Sequence, residues 1–459
     1  MRKKIVFRIV LAVMLFTAIF MIWLIRNVFP VISGYGAKNL CSAVYLQHRT
    51  VDDVVKEDLG DFPISLGSYT VNRKDSSVTA SVWGFAKRKA IYRKGAGATL
   101  VNDYPEEKIR SRQFILPALP QINLDTVPWP FGNKLPDTIP AGIDINKLNA
   151  AVDSGFAQTS HGKPAYTRAV LVVYNGQLIA ERYADGFDQN TMQLGWSMAK
   201  SFTGALTGIL VNQGKLDPDA IAPVPEWKNT DKEKITVKQL LQQTTGLDYT
   251  EIYSKPSEAT TMLFEKGDMA AYAASLPLKY EPGTVWNYSG GNSNILSRII
   301  RQTVGEKAYA AYPYTALFYK IGMYHTLLEP DASGTYVNSS YINATARDFA
   351  RFGLLYYNDG IWNGERILPE GWVKQTATAP AANENKNYGY QFWLNGIHPN
   401  SSHRIYPDAP ADMFYCDGFA YQLIYIMPSK KLVVVRLGLT LDRSFNENAF
   451  LKNIIDAIE

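Results

Sequence analysis

The chain has 459 residues, 46% hydrophobic and 19% charged, a composition that excludes a disordered protein and leaves room for two or three domains. Its net charge of +5 comes from five basic residues among the first 26, because the other 42 basic residues are balanced by 42 acidic ones. The body of the chain is therefore neutral, and we expect no nucleic-acid partner.

The N-terminal segment is apolar and long enough to cross a bilayer. Residues 9–25 carry no charge and would span roughly 26 Å as a helix. Four basic residues precede this run and Arg26 follows it, which predicts a cytoplasmic N-terminus and an exported body. We therefore expect residues 1–30 to be a single transmembrane anchor in a bacterial inner membrane, with the catalytic part in the periplasm or outside the cell. A cleaved signal peptide is the alternative.

Cysteine and histidine are too sparse for a disulfide framework or a metal site. Cys41 and Cys416 are the only cysteines; they either pair in an oxidising compartment or remain two free thiols, and the sequence leaves both open. The five histidines are scattered, and none stands at ligand spacing with a carboxylate. We expect no metal and no cofactor.

Beyond the apolar segment we expect a small N-terminal region over residues 31–142 and one larger domain over residues 143–459. The small region holds a charged helical stretch near residues 51–59 and strand-like runs near 78–82 and 90–92. Residues 116–142 contain six prolines, which predict a wrapping linker without regular structure.

The larger domain begins and ends with strands and has helices between them. A helix capped by Asp144 comes first, and an Asn175-Gly176 turn then joins strands over residues 169–174 and 178–183. Helices are expected over residues 236–243, 293–304 and 346–357, a second hairpin over 421–427 and 432–437, and a last helix over 447–458. This order predicts an α/β fold of the α+β type, with an antiparallel sheet flanked by helices and a helical subdomain.

Ser197 and Lys200 form the most informative motif. Residues three apart on a helix lie on one face, where a lysine amine can take the proton of a serine hydroxyl. The apolar residues after Ser197 recur at helical spacing as far as Gly214, which predicts a long helix with Ser197 at its start. A second Ser-x-x-Lys match, from Ser160 to Lys163, contains glycine and precedes proline, so it suits a helix poorly.

A serine activated by lysine needs further groups. Lysine is ordinarily protonated at neutral pH, so burial and a proton relay are required. Tyr288 is the candidate relay, because it lies in a loop rich in proline and glycine where a side chain can face a cleft. The oxyanion of acyl transfer needs two N–H donors, for which we expect the amide of Ser197 and a strand edge near residues 415–419. A packed loop tyrosine and a β-bulge are the structural alternatives.

Three segments together resemble the serine β-lactamase and penicillin-binding-protein-like hydrolases, especially the class C-like branch with its esterases, D-aminopeptidases and 6-aminohexanoate-oligomer hydrolases. These segments are residues 195–201 (GWSMAKS), 286–290 (WNYSG) and 415–418 (YCDG). The segments at 235–241, 345–353 and 362–366 agree in order and spacing, and the resemblance covers roughly residues 143–459.

The resemblance implies a DD-peptidase/β-lactamase-like fold and a role for each motif residue. It makes Ser197 the nucleophile, Lys200 its base and Tyr288 the group that passes the proton to the leaving group. It makes the backbone amides of Ser197 and Phe419 the oxyanion hole. We expect the substrate to contact Asn292, Cys416, Gly418 and Gln422. Gln422 is included because it lies on the strand just past Phe419, and it is equally well a solvent-facing strand residue.

The sequence departs from the family pattern at two positions. Gly290 stands where the second motif has asparagine, and Asn287 or Asn292 are the possible substitutes. Cys416 replaces the basic residue that helps to hold the substrate carboxylate in β-lactam enzymes. A thiol has no such charge, so we expect poor nitrocefin turnover and a preference for an ester or amide without a carboxylate beside the scissile bond.

The expected function is thus a membrane-anchored serine hydrolase acting on a small ester, amide or peptide through an acyl-enzyme. One alternative is an α/β-hydrolase elbow at residues 195–199, which needs one of His325, His398 or His403. Another is a penicillin-binding-type cell-wall peptide binder or sensor with little turnover. A scaffold with dead catalytic positions is the third.

Overall fold

The structure, a computed structural model, describes residues 2–160, 163–442 and 445–458. The helices are α1 (Arg2–Asn27), α2 (Phe29–Tyr45), α3 (Val51–Glu57), α4 (Glu106–Ser111), α5 (Ile145–Ala157), α6 (Met198–Asn212), α7 (Val237–Gln242), α8 (Glu258–Glu265), α9 (Met269–Ser275), α10 (Gly290–Val304), α11 (Glu306–Tyr309), α12 (Ala346–Tyr357), α13 (Trp372–Thr376) and α14 (Glu447–Asp456).

The strands are β1 (Gly67–Asn72), β2 (Ser77–Val82), β3 (Phe85–Arg93), β4 (Gly97–Leu100), β5 (Thr159–Ser160), β6 (Lys163–Pro164), β7 (Thr167–Tyr174), β8 (Gln177–Tyr183), β9 (Gln193–Leu194), β10 (Thr326–Leu328), β11 (Ile342–Ala344), β12 (Ile361–Trp362), β13 (Glu365–Arg366), β14 (Trp393–Leu394), β15 (Phe414–Gly418), β16 (Gln422–Met427) and β17 (Leu432–Gly438).

The chain separates into two compact units. The small unit consists of Met1–Arg112, Thr250–Tyr272 and Pro330–Gly334. The large unit consists of Gln113–Tyr249, Ala273–Glu329 and Thr335–Glu459. Two segments that are distant in sequence therefore belong with the N-terminal residues.

The small unit is built around α2. Strands β1 to β4 form an antiparallel sheet in sequence order, and α2 packs on it with most of its residues buried. Helix α1 leads into α2, and its apolar side chains are exposed. The helical segment Lys3–Tyr45 is long and apolar enough to cross a membrane, a test that a signal sequence also passes. The apolar N-terminal helix expected from the sequence is thus present.

Helix α2 carries a buried lysine–serine pair. Lys38 is 1% exposed, and its Nζ donates a hydrogen bond to Ser42 Oγ at 2.9 Å. Ser42 is equally buried and donates to the carbonyl oxygen of Lys38 at 3.2 Å, one helical turn away. The small unit therefore satisfies this buried charge partly within one helix.

The large unit has a six-stranded antiparallel sheet in the order β14-β15-β16-β17-β7-β8. Helices α5 and α14 pack together on the sheet and share a core with residues of β7, β16 and β17. Helix α12 packs on the same strands, and it approaches so closely that a Cβ on Gly353 would lie 2.5 Å from Val433. Strands β16 and β17 are buried at every residue, because helices cover the sheet.

Helix α6 is buried along most of its length beside β15, and α10 packs against both α6 and α7. On its inner face Phe202 stacks on Phe352 of α12, with ring centroids 3.7 Å apart. The packing of α6 on β15 and α12 fixes the start of this helix, where the candidate site lies.

The predicted elements of the large unit are confirmed. Asp144 caps α5 by accepting a hydrogen bond from the Lys147 amide at 3.0 Å. Asn175 and Gly176 have φ angles of 48° and 81°, as the predicted tight hairpin turn requires. The predicted helix over 346–357 is α12, and the last hairpin is β16 and β17. The antiparallel sheet with strands from both ends of the domain is as expected.

Some expectations were incomplete. Helix α2 was not predicted, and neither were β1, β4, α8 and α9. The proline-rich stretch holds a 3₁₀ turn, Leu124–Thr126. In the second Ser-x-x-Lys match, Ser160 ends β5 and Lys163 begins β6, whereas His161 and Gly162 lie outside the described residues. The predicted domain boundaries stay predictions.

Candidate active site

The site centres on Ser197, which lies between the short strand β9 and helix α6. The Gly195 amide donates to the Ile342 carbonyl at 2.7 Å and fixes the entry to the turn. Trp196 has a φ of 48°, a left-handed conformation that is unfavourable for a bulky side chain. Ser197 occupies the N-cap position and is partly exposed, and among the described residues its amide has no hydrogen-bond acceptor. The turn therefore presents both a hydroxyl and an N–H at the helix start.

Lys200 lies one turn into α6, directly behind the serine. Its Nζ is 2.9 Å from Ser197 Oγ and 2.9 Å from the Ser339 carbonyl oxygen. The Lys200 side chain is only 1% exposed, so its amine is shielded from water, whereas the serine hydroxyl is partly exposed. The structure thus brings the predicted nucleophile and the predicted base into direct contact.

Tyr288 is the third member of the predicted trio, and it lies over the same lysine. Lys200 Nζ is 4.8 Å from the centroid of the Tyr288 ring, within range of a cation–π contact. The tyrosine lies in the loop before α10, and Gln243 holds this loop at both neighbouring amides, those of Asn287 and Ser289, at 2.9 and 3.2 Å. Tyr288 is therefore positioned by its loop and remains partly exposed.

The end of β15 approaches the serine turn at Gly418. A Cβ at this position would lie 2.1 Å from the Gly195 carbonyl oxygen, so only glycine permits the approach. The next residue, Phe419, is 39% exposed, and its ring meets the edge of Trp196 with centroids 5.5 Å apart. This brings the backbone of Phe419 beside the turn that carries Ser197.

Two buried polar side chains brace the turn after Phe419. Gln422 donates to the carbonyl oxygens of Phe419 and Ala420 at 3.2 and 3.3 Å. Arg436 is fully buried and donates to the carbonyls of Ala420 and Tyr421 at 3.2 and 2.9 Å. Ala420 and Tyr421 both have left-handed φ angles, 62° and 64°, so the turn needs this support.

Arg436 was not among the residues predicted from the sequence, although its sequence context carries a signal. It is the only charged residue within the apolar run of residues 432–439, and a charge in a buried strand must be hydrogen-bonded. Burial lowers the pKa of Arg436 to about 9. The guanidinium remains charged at neutral pH and bonds only neutral oxygens, among them those of Ala165, Thr167 and Thr440.

Two predicted substrate-binding residues have partners in the interior. Asn292 is 1% exposed; its Oδ1 accepts from the Thr245 hydroxyl at 3.0 Å and its Nδ2 donates to Gln243 Oε1 at 2.8 Å. Cys416 is also buried, and burial raises the pKa of its thiol, against the opposing effect of a hydrogen bond with Ser201. Both cysteines of the chain are buried thiols that are not joined in a disulfide. The substrate-binding roles stay predictions.

Aromatic side chains surround the serine, and most of them were not predicted. Trp196 contacts Tyr341 as well as Phe419, with the first pair of centroids 6.2 Å apart. Tyr288 packs on Trp393 at 5.1 Å and on Tyr388 at 5.6 Å. The site therefore has extensive apolar surface beside its polar centre.

In the part of the chain that the structure describes, Ser197 is paired with a lysine and not with a histidine. Ser197 Oγ bonds to Lys200, and no histidine hydrogen-bonds to it there. Within the same residues no group of three His, Cys, Asp or Glu side chains is arranged to hold a metal ion. The α/β-hydrolase alternative lacks its base.

Comparisons with known proteins agree with this architecture. A family model described as Beta-lactamase matches residues 158–451. The 6-aminohexanoate-dimer hydrolase of Paenarthrobacter ureafaciens is 27% identical over 254 residues, which are 50% of this chain and 64% of that protein.

Among solved structures, a Bacillus anthracis protein provisionally assigned as a 6-aminohexanoate-dimer hydrolase is 24% identical. It aligns with a TM-score of 0.56 over 71% of this chain and 87% of its own. A family VIII carboxylesterase is 15% identical and aligns with a TM-score of 0.54 over 70% of this chain and 98% of its own. These matches confirm the fold that the motifs predicted.

Proposed function

Because the chain belongs to the beta-lactamase family, we propose that it is a serine hydrolase that cleaves an ester or amide bond through an acyl-enzyme on Ser197. The match with the 6-aminohexanoate-dimer hydrolase covers 64% of that protein, which is less than two thirds of its length. An activity for the whole of the present chain is therefore a proposal. That relative is named for hydrolysis of a 6-aminohexanoate dimer, and a structural neighbour is named as a carboxylesterase.

The first step transfers a proton from Ser197 Oγ to the neutral amine of Lys200. The 2.9 Å hydrogen bond between the two atoms supports this transfer, and no histidine is required. The serine oxygen then forms a bond to the substrate carbonyl carbon, and the carbonyl electrons move onto its oxygen. The burial of Lys200 supports the role, because desolvation favours the uncharged amine that the step needs.

The second step requires N–H donors and an acid. The backbone amides of Ser197 and Phe419 stabilise the oxyanion, and the approach of Gly418 to Gly195 supports this assignment. As the tetrahedral intermediate collapses, Tyr288 passes the proton from Lys200 to the departing alcohol or amine. Water then attacks the acyl carbonyl carbon and gives a proton to the Lys200–Tyr288 pair. The bond between the acyl carbon and Ser197 Oγ breaks, the serine oxygen takes this proton back, and the acid product is released.

The substrate has an apolar part and no carboxylate beside the scissile bond. The aromatic side chains of Trp196, Phe419 and Trp393 support the first property. The second follows from Cys416, a buried and protonated thiol in the place where related β-lactam enzymes have a basic residue. We expect nitrocefin to be hydrolysed far more slowly than by a dedicated β-lactamase.

The enzyme acts outside the cytoplasm while held to the membrane by α1. The exposed apolar helix and the basic residues before it support an N-terminus inside the cell and a catalytic unit in the periplasm or outside the cell. A cleaved signal peptide would give a soluble exported enzyme instead.

A single observation carries the proposal: the contact between the buried amine of Lys200 and the partly exposed hydroxyl of Ser197. The test uses the full chain in detergent micelles with p-nitrophenyl acetate. Wild type should release product well beyond one equivalent. Ser197→Ala should lose at least about 10⁴-fold in kcat, because removing the nucleophile of a serine hydrolase costs up to about 10⁶.

Ser42→Ala is the matched control, because Ser42 also bonds to a buried lysine at 2.9 Å. It should retain full activity. A single burst of product without turnover would favour the penicillin-binding-type binder or sensor over the hydrolase. Unchanged activity of Ser197→Ala would overturn the assignment of the nucleophile.

A further inference from the structure

The N-terminal part of the small unit has an unexplained apolar feature on its surface. Among residues 28–112, all of which the structure describes, only three large apolar side chains are exposed: Phe62 at 81%, Trp83 at 58% and Phe85 at 50%. Exposed aromatic residues are individually unremarkable, but a cluster of them marks an interaction surface. We call these three residues the apolar tip.

The apolar tip lies where α1 ends. Trp83 forms the turn between β2 and β3, and its ring meets Phe29 at the start of α2 edge to face, at 5.4 Å. Residues one or two positions along the chain from each tip residue, namely Ile64, Val82 and Ala86, belong to one small hydrophobic cluster that also includes the end of α1. Its members are Met21, Leu24, Ile25, Val28, Phe29, Ile32, Ile64, Leu66, Val82 and Ala86.

The distances along α1 place the tip at the level of lipid headgroups. The charge-free run ends at Arg26, and Phe29 lies three residues further, about 4.5 Å along a helix. The headgroup region on each side of the hydrocarbon core is roughly 5–7 Å thick. Trp83 therefore falls within this layer when α1 crosses the bilayer, and tryptophan is enriched there.

Charge complements the apolar surface. Arg26 and Lys87 are exposed on either side of the tip, one on α1 and one on β3, where they can meet lipid phosphates. The opposite turn of the same sheet, residues 73–76 between β1 and β2, has no exposed large apolar side chain. The apolar surface is thus confined to the end of the sheet that adjoins α1.

We propose that the apolar tip inserts into the headgroup layer of the outer leaflet and seats the small unit on the membrane. This inference rests on the proposed anchoring by α1. The bilayer is the occupant because the tip is continuous with the apolar surface of the helix that crosses it. The β2–β3 turn becomes a second membrane contact, which limits the tilt of the small unit about the end of α1.

The test is a depth measurement on the full chain in phosphatidylcholine vesicles with a fraction of anionic lipid. A nitroxide is attached in turn to Leu15→Cys in α1, Phe62→Cys and Trp83→Cys in the tip, and Lys74→Cys at the opposite end of the sheet. Collision with oxygen, which concentrates in the bilayer, is compared with collision with a water-soluble nickel chelate. Cys41 and Cys416 are buried, so the wild-type chain taken through the same labelling is the blank.

The ratio of oxygen to nickel collisions should be highest at residue 15, intermediate at residues 62 and 83, and lowest at residue 74. Strand β2 separates positions 83 and 74 by about 20 Å, so the two are easily resolved. Because Phe62 and Trp83 are substituted separately, one misfolded variant leaves the other to decide. Ester hydrolysis is measured for each labelled chain, and a rate equal to that of the wild type shows that the large unit is folded.

The unfavourable outcomes are distinct. Values at 62 and 83 equal to that at 74, with residue 15 in the bilayer, overturn the docking proposal but leave the anchor. Low collision with both reagents at 62 and 83 means that protein covers the tip, and this also overturns the proposal. A water-like value at residue 15 overturns the anchor itself, and the docking with it.

Discussion

Among the described residues, each unit has a buried lysine that hydrogen-bonds to a serine, and the comparison of the two pairs separates packing from chemistry. Lys200 Nζ lies 2.9 Å from Ser197 Oγ, and Lys38 Nζ lies 2.9 Å from Ser42 Oγ. Both lysines are 1% exposed. Distance and burial alone therefore do not distinguish a candidate nucleophile from a structural hydroxyl.

The serines differ in their access and in their place on the helix. Ser197 is partly exposed at the start of α6, where its amide is available to an anion and Gly418 allows a second strand to approach. Ser42 is buried within α2, and its hydroxyl donates to the carbonyl of Lys38. A substrate carbonyl can reach the first pair and not the second. The environment of the hydroxyl, and not the lysine, separates the two sites.

Replacing each lysine in turn by methionine tests this comparison, and Lys200→Met has the largest expected effect of the substitutions below. Lys200→Met should lower kcat for p-nitrophenyl acetate by about 10³-fold, since a positioned general base contributes about 10² to 10⁴. Lys38→Met removes an equally buried charge of the small unit and should leave kcat unchanged. Urea midpoints measured for both variants check that they are folded. An active Lys200→Met enzyme would remove this lysine from the mechanism.

Tyr288 lies over Lys200, and the removal of its hydroxyl should have the next largest effect. Tyr288→Phe deletes only the hydroxyl and keeps the ring, whose centroid lies 4.8 Å from Lys200 Nζ. We expect about 10²-fold lower kcat for an ethyl ester, whose alkoxide must be protonated as it leaves. The loss should be much smaller for a p-nitrophenyl ester, because p-nitrophenoxide leaves without a proton. Equal losses on both substrates would contradict the role of Tyr288 as the final proton donor.

Local patterns were sufficient to predict the elements around Ser197. The spacing of apolar residues gave α6 and α12, and the Asn175-Gly176 dipeptide gave the β7–β8 turn, because each signal acts within a few residues. The contact of Ser197 with Lys200 is likewise local to one helical turn. Tyr288, in contrast, was singled out mainly through the family resemblance, since one loop tyrosine among 28 carries little information.

The parts that could not be predicted depend on residues far apart in the chain. Helix α2 contains Gly34 and Gly36, which reduce its helix propensity, and their close approach to Phe264 and Tyr69 is visible only in the folded unit. The turn after Phe419 is similar, because its carbonyls bond to Arg436 on another strand. In α2 the packing of the glycines outweighs their low helix propensity. In the turn after Phe419, buried hydrogen bonds outweigh the unfavourable left-handed backbone conformation.

Two buried arginines can be compared to test the turn after β15: Arg436, which bonds to that turn, and Arg351, which does not. Arg436→Met removes the guanidinium that donates to the carbonyls of Ala420 and Tyr421, and only weaker bonds to Ala420 remain, so the amide of Phe419 should shift. We expect kcat to fall about tenfold with little change in KM, less than the loss of an oxyanion donor, which costs about 10² to 10³. The readout is a kcat and KM pair measured well below the unfolding temperature of the variant.

Arg351→Met is the control for that substitution. Arg351 is buried in the same unit, but it bonds to Asp348 and to the carbonyls of Pro130 and Gly132, far from the turn in sequence. Removal of Arg351 should lower the unfolding temperature and leave kcat unchanged. If both arginine variants lose stability and kcat in parallel, Arg436 supports the fold and does not position the oxyanion hole.

Cys416→Ala should have the smallest effect on ester hydrolysis. The reactivity of the thiol shows whether this side chain lies in the interior or in the cleft. Burial raises the pKa of this thiol, so the folded chain keeps the proton where the unfolded chain, with an ordinary value of 9.0, has lost it. The contribution to stability is therefore full below pH 9 and declines as the pH rises above it, and Cys416→Ala should remove this part of the decline. The native thiol should not react with Ellman's reagent at pH 8, and Cys416→Ala should keep its ester hydrolysis. Rapid reaction that blocks hydrolysis would instead place the thiol in the cleft, as a substrate-contacting residue must be.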